Sequence, residues 1–154
     1  MILVITLVLL IQTMLLARFK WSQYLDLFLL LNVYYALNFS QFSSLGMSVF
    51  CGLVQDSFSE GILGMNAFSK TVVVYFISTI SARLMIKHPL FVMFLISVST
   101  AIDTLVITGL HRVFSLPQTV LSPQGVLIAI AVNSITGVIV FQMADKIRVR
   151  KEYA

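Results

Sequence analysis

Charge is the scarcest property of this chain. Asp, Glu, Lys and Arg make up 10% of its 154 residues, against about 25% in an ordinary soluble domain. Little of the molecule can therefore be water-facing surface. Two stretches carry no charge at all: residues 27–55, bracketed by Asp26 and Asp56, and residues 113–144, bracketed by Arg112 and Asp145. Cysteine is almost absent. The single Cys51 excludes a disulfide framework and any cysteine-based zinc site; in its apolar run a thiol acts as a small hydrophobe. The sequence also lacks a metal-ligand cluster, a phosphate-cradling loop and a nucleophile elbow. His88 and His111 stand alone at the ends of apolar runs, where a cation near a helix C-terminus is ordinary. Asp56 and Asp103 could pair as an intramembrane aspartyl dyad, but neither stands in a Gly-x-Gly-Asp context. No enzyme, catalytic residue, metal or cofactor is expected.

What the chain has in quantity is apolar surface: 59% hydrophobic residues and a mean hydropathy of +1.01. A helix needs ~20 apolar residues to cross the ~30 Å bilayer core, so each charge-free stretch is long enough for one crossing or two. The runs lack period-2 alternation, and lipid admits only helices and closed barrels. The expected fold is all-α, a multi-pass transmembrane bundle of about six helices in a single domain. The spans fall at about residues 1–17, 24–38, 45–58, 66–86, 90–110 and 123–144, with a basic tail over residues 145–154. Residues 1–17 have no basic lead or small-x-small cleavage site, which predicts a retained first span instead of a signal peptide. Pro89 suits the first turn of span five, and Ser122-Pro123 opens span six as N-cap and first helical residue.

The net charge of +4 does not point to nucleic acid, because the basic residues lie between and after the spans instead of forming one aromatic-interleaved patch. They set orientation instead. With six spans, one face collects Arg83, Lys87, Lys146, Arg148, Arg150 and Lys151, and the other has Arg18, Lys20, Lys70 and Arg112. The richer side, with both termini, is read as cytoplasmic. The tail is a positive-inside anchor for anionic lipid headgroups.

Polar side chains within a span are costly and normally face the bundle interior. Asp103 lies inside span five, with Ser99, Thr100 and Thr104 at helical spacing, and Asn133 and Asn32 sit in spans six and two. These can fix helix packing, dock a partner or line a ligand site. Asp103 could also serve a proton relay, though it has no second acid nearby in sequence. The connector between spans three and four joins Asp56, Glu60, Gly61, Gly64 and Asn66. Gly61 and Gly64 can supply positive φ or close approach, and Asn66 suits an N-cap. Asp56 and Glu60 can accept from N–H groups at the start of span four. That makes a well-formed helical hairpin, yet Gly-Ile-Leu-Gly is apolar for a turn in water, so it is also a candidate contact surface.

The run over residues 52–69, Gly-Leu-Val-Gln-Asp-Ser-Phe-Ser-Glu-Gly-Ile-Leu-Gly-Met-Asn-Ala-Phe-Ser, followed by Tyr75, resembles the signature of the MreD family of bacterial rod shape-determining membrane proteins. The family's pattern is a glycine-flanked acid at a span end, then Ser-Gly or similar, then Leu-Gly and a helix bearing Tyr. Ser99 to Asp103, Asn133 and the basic tail match more loosely, and Ser59-Glu60-Gly61 departs by placing an acid inside Ser-Gly. The resemblance implies a non-enzymatic scaffold of the peptidoglycan elongation machinery in the bacterial cytoplasmic membrane. Its implied partner is MreC, and through it RodA, a penicillin-binding transpeptidase and the actin-like MreB. The family is also similar in fold to the S components of energy-coupling-factor transporters, which supplies a second reading, a small-molecule-binding transport subunit with a pocket near Asp103 and Asn133. S components dock through an Ala-x-x-x-Ala face on the first span, and residues 1–17 contain no Ala-x-x-x-Ala pair, which speaks against that reading.

Overall fold

A computed structural model describes residues 24–58, 62–81, 89–115 and 122–152. Among them are five helices and no strand: α1 Leu27–Asn38, α2 Gln41–Phe58, α3 Met65–Ser81, α4 Pro89–Val113 and α5 Pro123–Glu152. The expected first span, the Gly61 and Glu60 positions and the Arg83, Lys87 and His88 cluster lie outside the described residues. The chain is all-helical over what is described.

The helix boundaries have local causes. The Asp26 carboxylate accepts the Leu29 N–H at 2.9 Å and starts α1, and Phe39 ends it in extended backbone. The Ser40 carbonyl then accepts from Ser44 N–H at 3.0 Å, so α2 begins at Gln41. The connector expected over residues 39–44 is mostly the first turn of that helix. The Ser44 hydroxyl stitches the corner by donating to the Tyr35 and Ser40 carbonyls, both at 3.0 Å. Pro89 opens α4, and Pro123 opens α5 behind the Ser122 hydroxyl, which accepts from Gly125 N–H. α5 does not stop at Ala144; the basic stretch continues it to Glu152.

α1 is the central element, touching all four others; α2 packs chiefly on α3, and α4 on α5. Its core residues Leu29, Leu30, Val33 and Ala36 join Val73, Val74 and Ile77 of α3, Leu95 and Ile96 of α4 and Phe141 of α5. At ~18 Å, α1 is shorter than a bilayer crossing, and Phe28, Leu29, Leu30 and Val33 are fully shielded by protein. The buried face of α2 is a stripe of mostly small residues, Ser44, Ser48, Cys51 and Gly52 with Met47 and Asp56, recurring at helical spacing. Gly52 abuts the α3 backbone, and a Cβ there would collide with the Ala67 main chain. Close approach through small residues is how helices associate when lipid removes the hydrophobic drive between them.

The polarity of the molecule is inverted. Lys70, Asn32, Ser44, Ser48, Ser69 and Ser99 are fully buried, while Phe42 is 90% exposed and Leu105 71%. Phe50, Phe76, Phe94, Leu127 and Ile135 also point outward. A protein in water does the opposite. α4 and residues Pro123–Ala144 of α5 are each long and apolar enough to cross a membrane.

Candidate functional site

One end of the bundle gathers the starts of α1, α3 and α5 and the ends of α2 and α4, and the polar residues concentrate there. Two adjoining networks result.

The first is the α2–α3 turn. Asp56, buried at the end of α2, accepts four hydrogen bonds across it. Its Oδ2 receives the N–H groups of Gly64 at 2.8 Å and Ala67 at 3.2 Å; its Oδ1 receives the Asn66 N–H at 3.1 Å and the Asn66 Nδ2 at 2.9 Å. The carboxylate thus satisfies N–H groups at the start of α3, which would otherwise lack partners, and sits where the helix dipole favours negative charge. Gly64 adopts φ +101°, a conformation that costs a residue with a Cβ about 1–2 kcal/mol. The Gly64 carbonyl accepts from Phe68 N–H, so α3 starts at Met65 and Asn66 is not its N-cap. That expectation is corrected: the cap comes from Asp56, ten residues away, and Asn66 holds Asp56 in place. Beyond this clamp the apolar tip faces outward, with Leu63 and Phe58 well exposed and Ile62 partly so.

The second network is centred on Lys70 of α3. Its ammonium is fully buried, 2.8 Å from Asp26 Oδ2 and 4.0 Å from Asp103 Oδ1. The Ser69 hydroxyl lies 2.6 Å from Asp103 Oδ1, joining α3 to α4. Asp26 also receives Gln55 Nε2 of α2 at 3.5 Å on Oδ2 and donates its own N–H to Asn133 Oδ1 of α5 at 3.0 Å. Asn133 Nδ2 approaches Thr100 Oγ1 of α4 at 3.5 Å. Asp26 therefore ties the start of α1 to three other helices. Leaving one of these charges without its partner is costly in a low-dielectric interior.

The structure brings Asp56, Gly64 and Asn66 together in the turn, and Asp103 and Asn133 together beside Lys70. Gly61 is outside the described residues. Ser99 joins neither group; its hydroxyl bonds back to the Leu95 carbonyl of its own helix at 2.7 Å, and Thr100 and Thr104 do the same one turn on. Asn32 is fully buried with neither amide atom hydrogen-bonded. Sequence reasoning places Lys70 among the charges flanking the spans, and the structure corrects this: it is an interior ion-pair partner. A lysine five residues into an apolar helix was the available signal. Asp26 was visible as the edge of a charge-free stretch, but its partners were not.

The two networks flank a cavity of about 250 Å³ lined by Asp26, Gln55, Asn66, Asp103, His111 and Asn133 among others. Among the described residues no group of three or more His, Cys, Asp or Glu is placed to hold a metal ion.

A family model described as rod shape-determining protein MreD matches residues 1–147 of the chain. Searches of curated proteins and of solved structures returned no match.

Proposed function

This chain belongs to the MreD family, whose role is in determining rod shape at the membrane, and from that premise we propose that it is a non-enzymatic, multi-pass scaffold of the cell-elongation machinery. It sits in the cytoplasmic membrane as one integral domain of about six helices and binds MreC. Through MreC it meets RodA, its penicillin-binding transpeptidase and MreB. The buried polar residues and outward aromatic side chains support the lipid setting.

The observation that carries the scaffold reading is the α2–α3 tip. Phe58, Ile62 and Leu63 present an apolar surface beside residues 64–67, which are held to Asp56 by three backbone N–H groups and the Asn66 side chain. Holding one side of the turn in place lowers the freedom an apolar contact there has to lose on binding. The Asp56 carboxylate itself is committed to holding the turn. Co-purification from detergent extract with an MreC-type partner tests this. Wild-type protein should retain the partner, Gly64→Trp should lose most of it, and Lys151→Ala should retain it. Failure of the wild-type pair to co-purify sinks the reading.

A small-molecule-binding subunit with an S-component-like fold is the second reading, favoured by the cavity at Asp103 and Asn133. Purified protein carrying no vitamin-like molecule by mass spectrometry, and binding none in a vitamin panel, would count against it.

A further inference from the structure

The cavity at this end of the bundle is not accounted for by scaffolding, and the state of its wall bears on what fits it. Several of the donors around it are engaged within the protein. Gln55 Nε2 points to Asp26, Asn66 Nδ2 to Asp56 and Asn133 Nδ2 to Thr100. The Thr100 and Thr104 hydroxyls donate to helix carbonyls. Among the acceptors, Gln55 Oε1 is a buried atom with no hydrogen-bond partner, and the Gln55 side chain lines the cavity. The Gln55 amide is oriented by its bond to Asp26, so the free atom is the carbonyl oxygen, which can accept and never donate. A buried acceptor left empty is destabilising, so a ligand N–H placed there would relieve it.

Charge points the same way. Asp26 and Asp103 both line the cavity, whereas the ammonium that serves them, Lys70, stands behind the wall and is 2.8 Å from the first and 4.0 Å from the second. Two carboxylates share one cation, and Asp103 has the looser claim on it. The cavity's volume of about 250 Å³ has room for a small organic molecule.

We propose that this cavity binds a small organic amine in its ammonium form, with the charged nitrogen donating to Asp103 and Gln55 at the α1–α4 end of the bundle. Neither the scaffold reading nor MreC binding is needed for it, since the site is built within one chain.

The test is equilibrium dialysis of the purified full chain in a non-ionic detergent against pentanediamine, pentanediol and glutarate, which share a carbon skeleton and differ in their end groups. The diamine should be retained at least tenfold better than either of the others. Thr108→Phe, which fills the cavity from α4, should abolish that preference, while Leu105→Phe, on the outward face of the same helix, should preserve it. Asp103→Asn should weaken diamine retention at least tenfold while leaving pentanediol unchanged. If Asp103→Asn does not yield monodisperse protein, the Thr108→Phe and Leu105→Phe pair decides. Equal retention of the three probes, or diamine retention unchanged by Thr108→Phe, overturns the proposal. Because retention is measured on the chain alone, a failure to co-purify with MreC would leave this result standing.

Discussion

Lys70 is fully buried, and its ammonium lies 2.8 Å from Asp26 and 4.0 Å from Asp103. Removing one side of such a pair strands the other, at about 3–5 kcal/mol. Lys70→Met should therefore lower unfolding stability in detergent by that amount, measured by denaturant titration. Asp26→Asn in the Lys70→Met background should cost much less than Asp26→Asn alone. A coupling energy near zero in that double-mutant cycle would show that the pair is not interacting. The residue scale is also where the sequence is hardest to read. A buried lysine announces itself as an anomaly in an apolar helix, but its partner Asp26 lies 44 residues away, and no local pattern links them. Asp103 and Asn133 were legible because a strongly polar side chain deep in a span has few places to go. Ser99 has the same sequence signature and only bonds its own helix.

At the scale of the element, α2 carries two glycines that the sequence cannot tell apart. Gly52 faces α3 so closely that a Cβ would strike the Ala67 backbone, while a Cβ on Gly46 would meet nothing within 4 Å. The same substitution should act with opposite sign. Gly52→Ala forces two helices apart and should destabilise by about 1–3 kcal/mol; Gly46→Ala gains helix propensity and should stabilise by up to about 1 kcal/mol. Thermal unfolding of both variants checks this, and a loss at Gly46 as large as at Gly52 would refute the close helix contact. Helix identity itself was legible from apolar length, and the starts at Pro89 and Pro123 follow from Pro chemistry. Where the reading slipped was at corners. The chain from Phe39 onward looked like a connector because it is polar and short of Leu, yet a polar first turn is compatible with a helix whose inner face is made of serines. Likewise Asn66 looked like a cap, but Gly64 at positive φ turns the chain two positions earlier, and a carboxylate from α2 reaches the freed N–H groups first.

For the whole molecule, moving Lys70 into the interior changes the orientation argument. The positive-inside rule counts basic residues near the membrane surfaces, and an ammonium held by Asp26 no longer contributes. The outer side is then left with Arg18, Lys20 and Arg112 against the same six on the side of the termini, so the cytoplasmic placement of the C-terminus gains margin. In that orientation the Asp56 clamp, the apolar tip and the amine cavity all lie toward the outer face, because they share the end of the bundle where α4 finishes and α5 begins. The helix that separates the two sides there is α5, whose residues Pro123–Ala144 are long enough for one crossing. Ser115, exposed just after α4, and Lys151, near the end of α5, should therefore lie on opposite sides. In a Cys51→Ser background, a membrane-impermeant maleimide applied to intact spheroplasts should label Ser115→Cys directly, and Lys151→Cys only after lysis. Labelling of both without lysis would mean that α5 does not cross, and the reverse pattern would turn the whole bundle over, moving the tip and cavity to the cytoplasmic side.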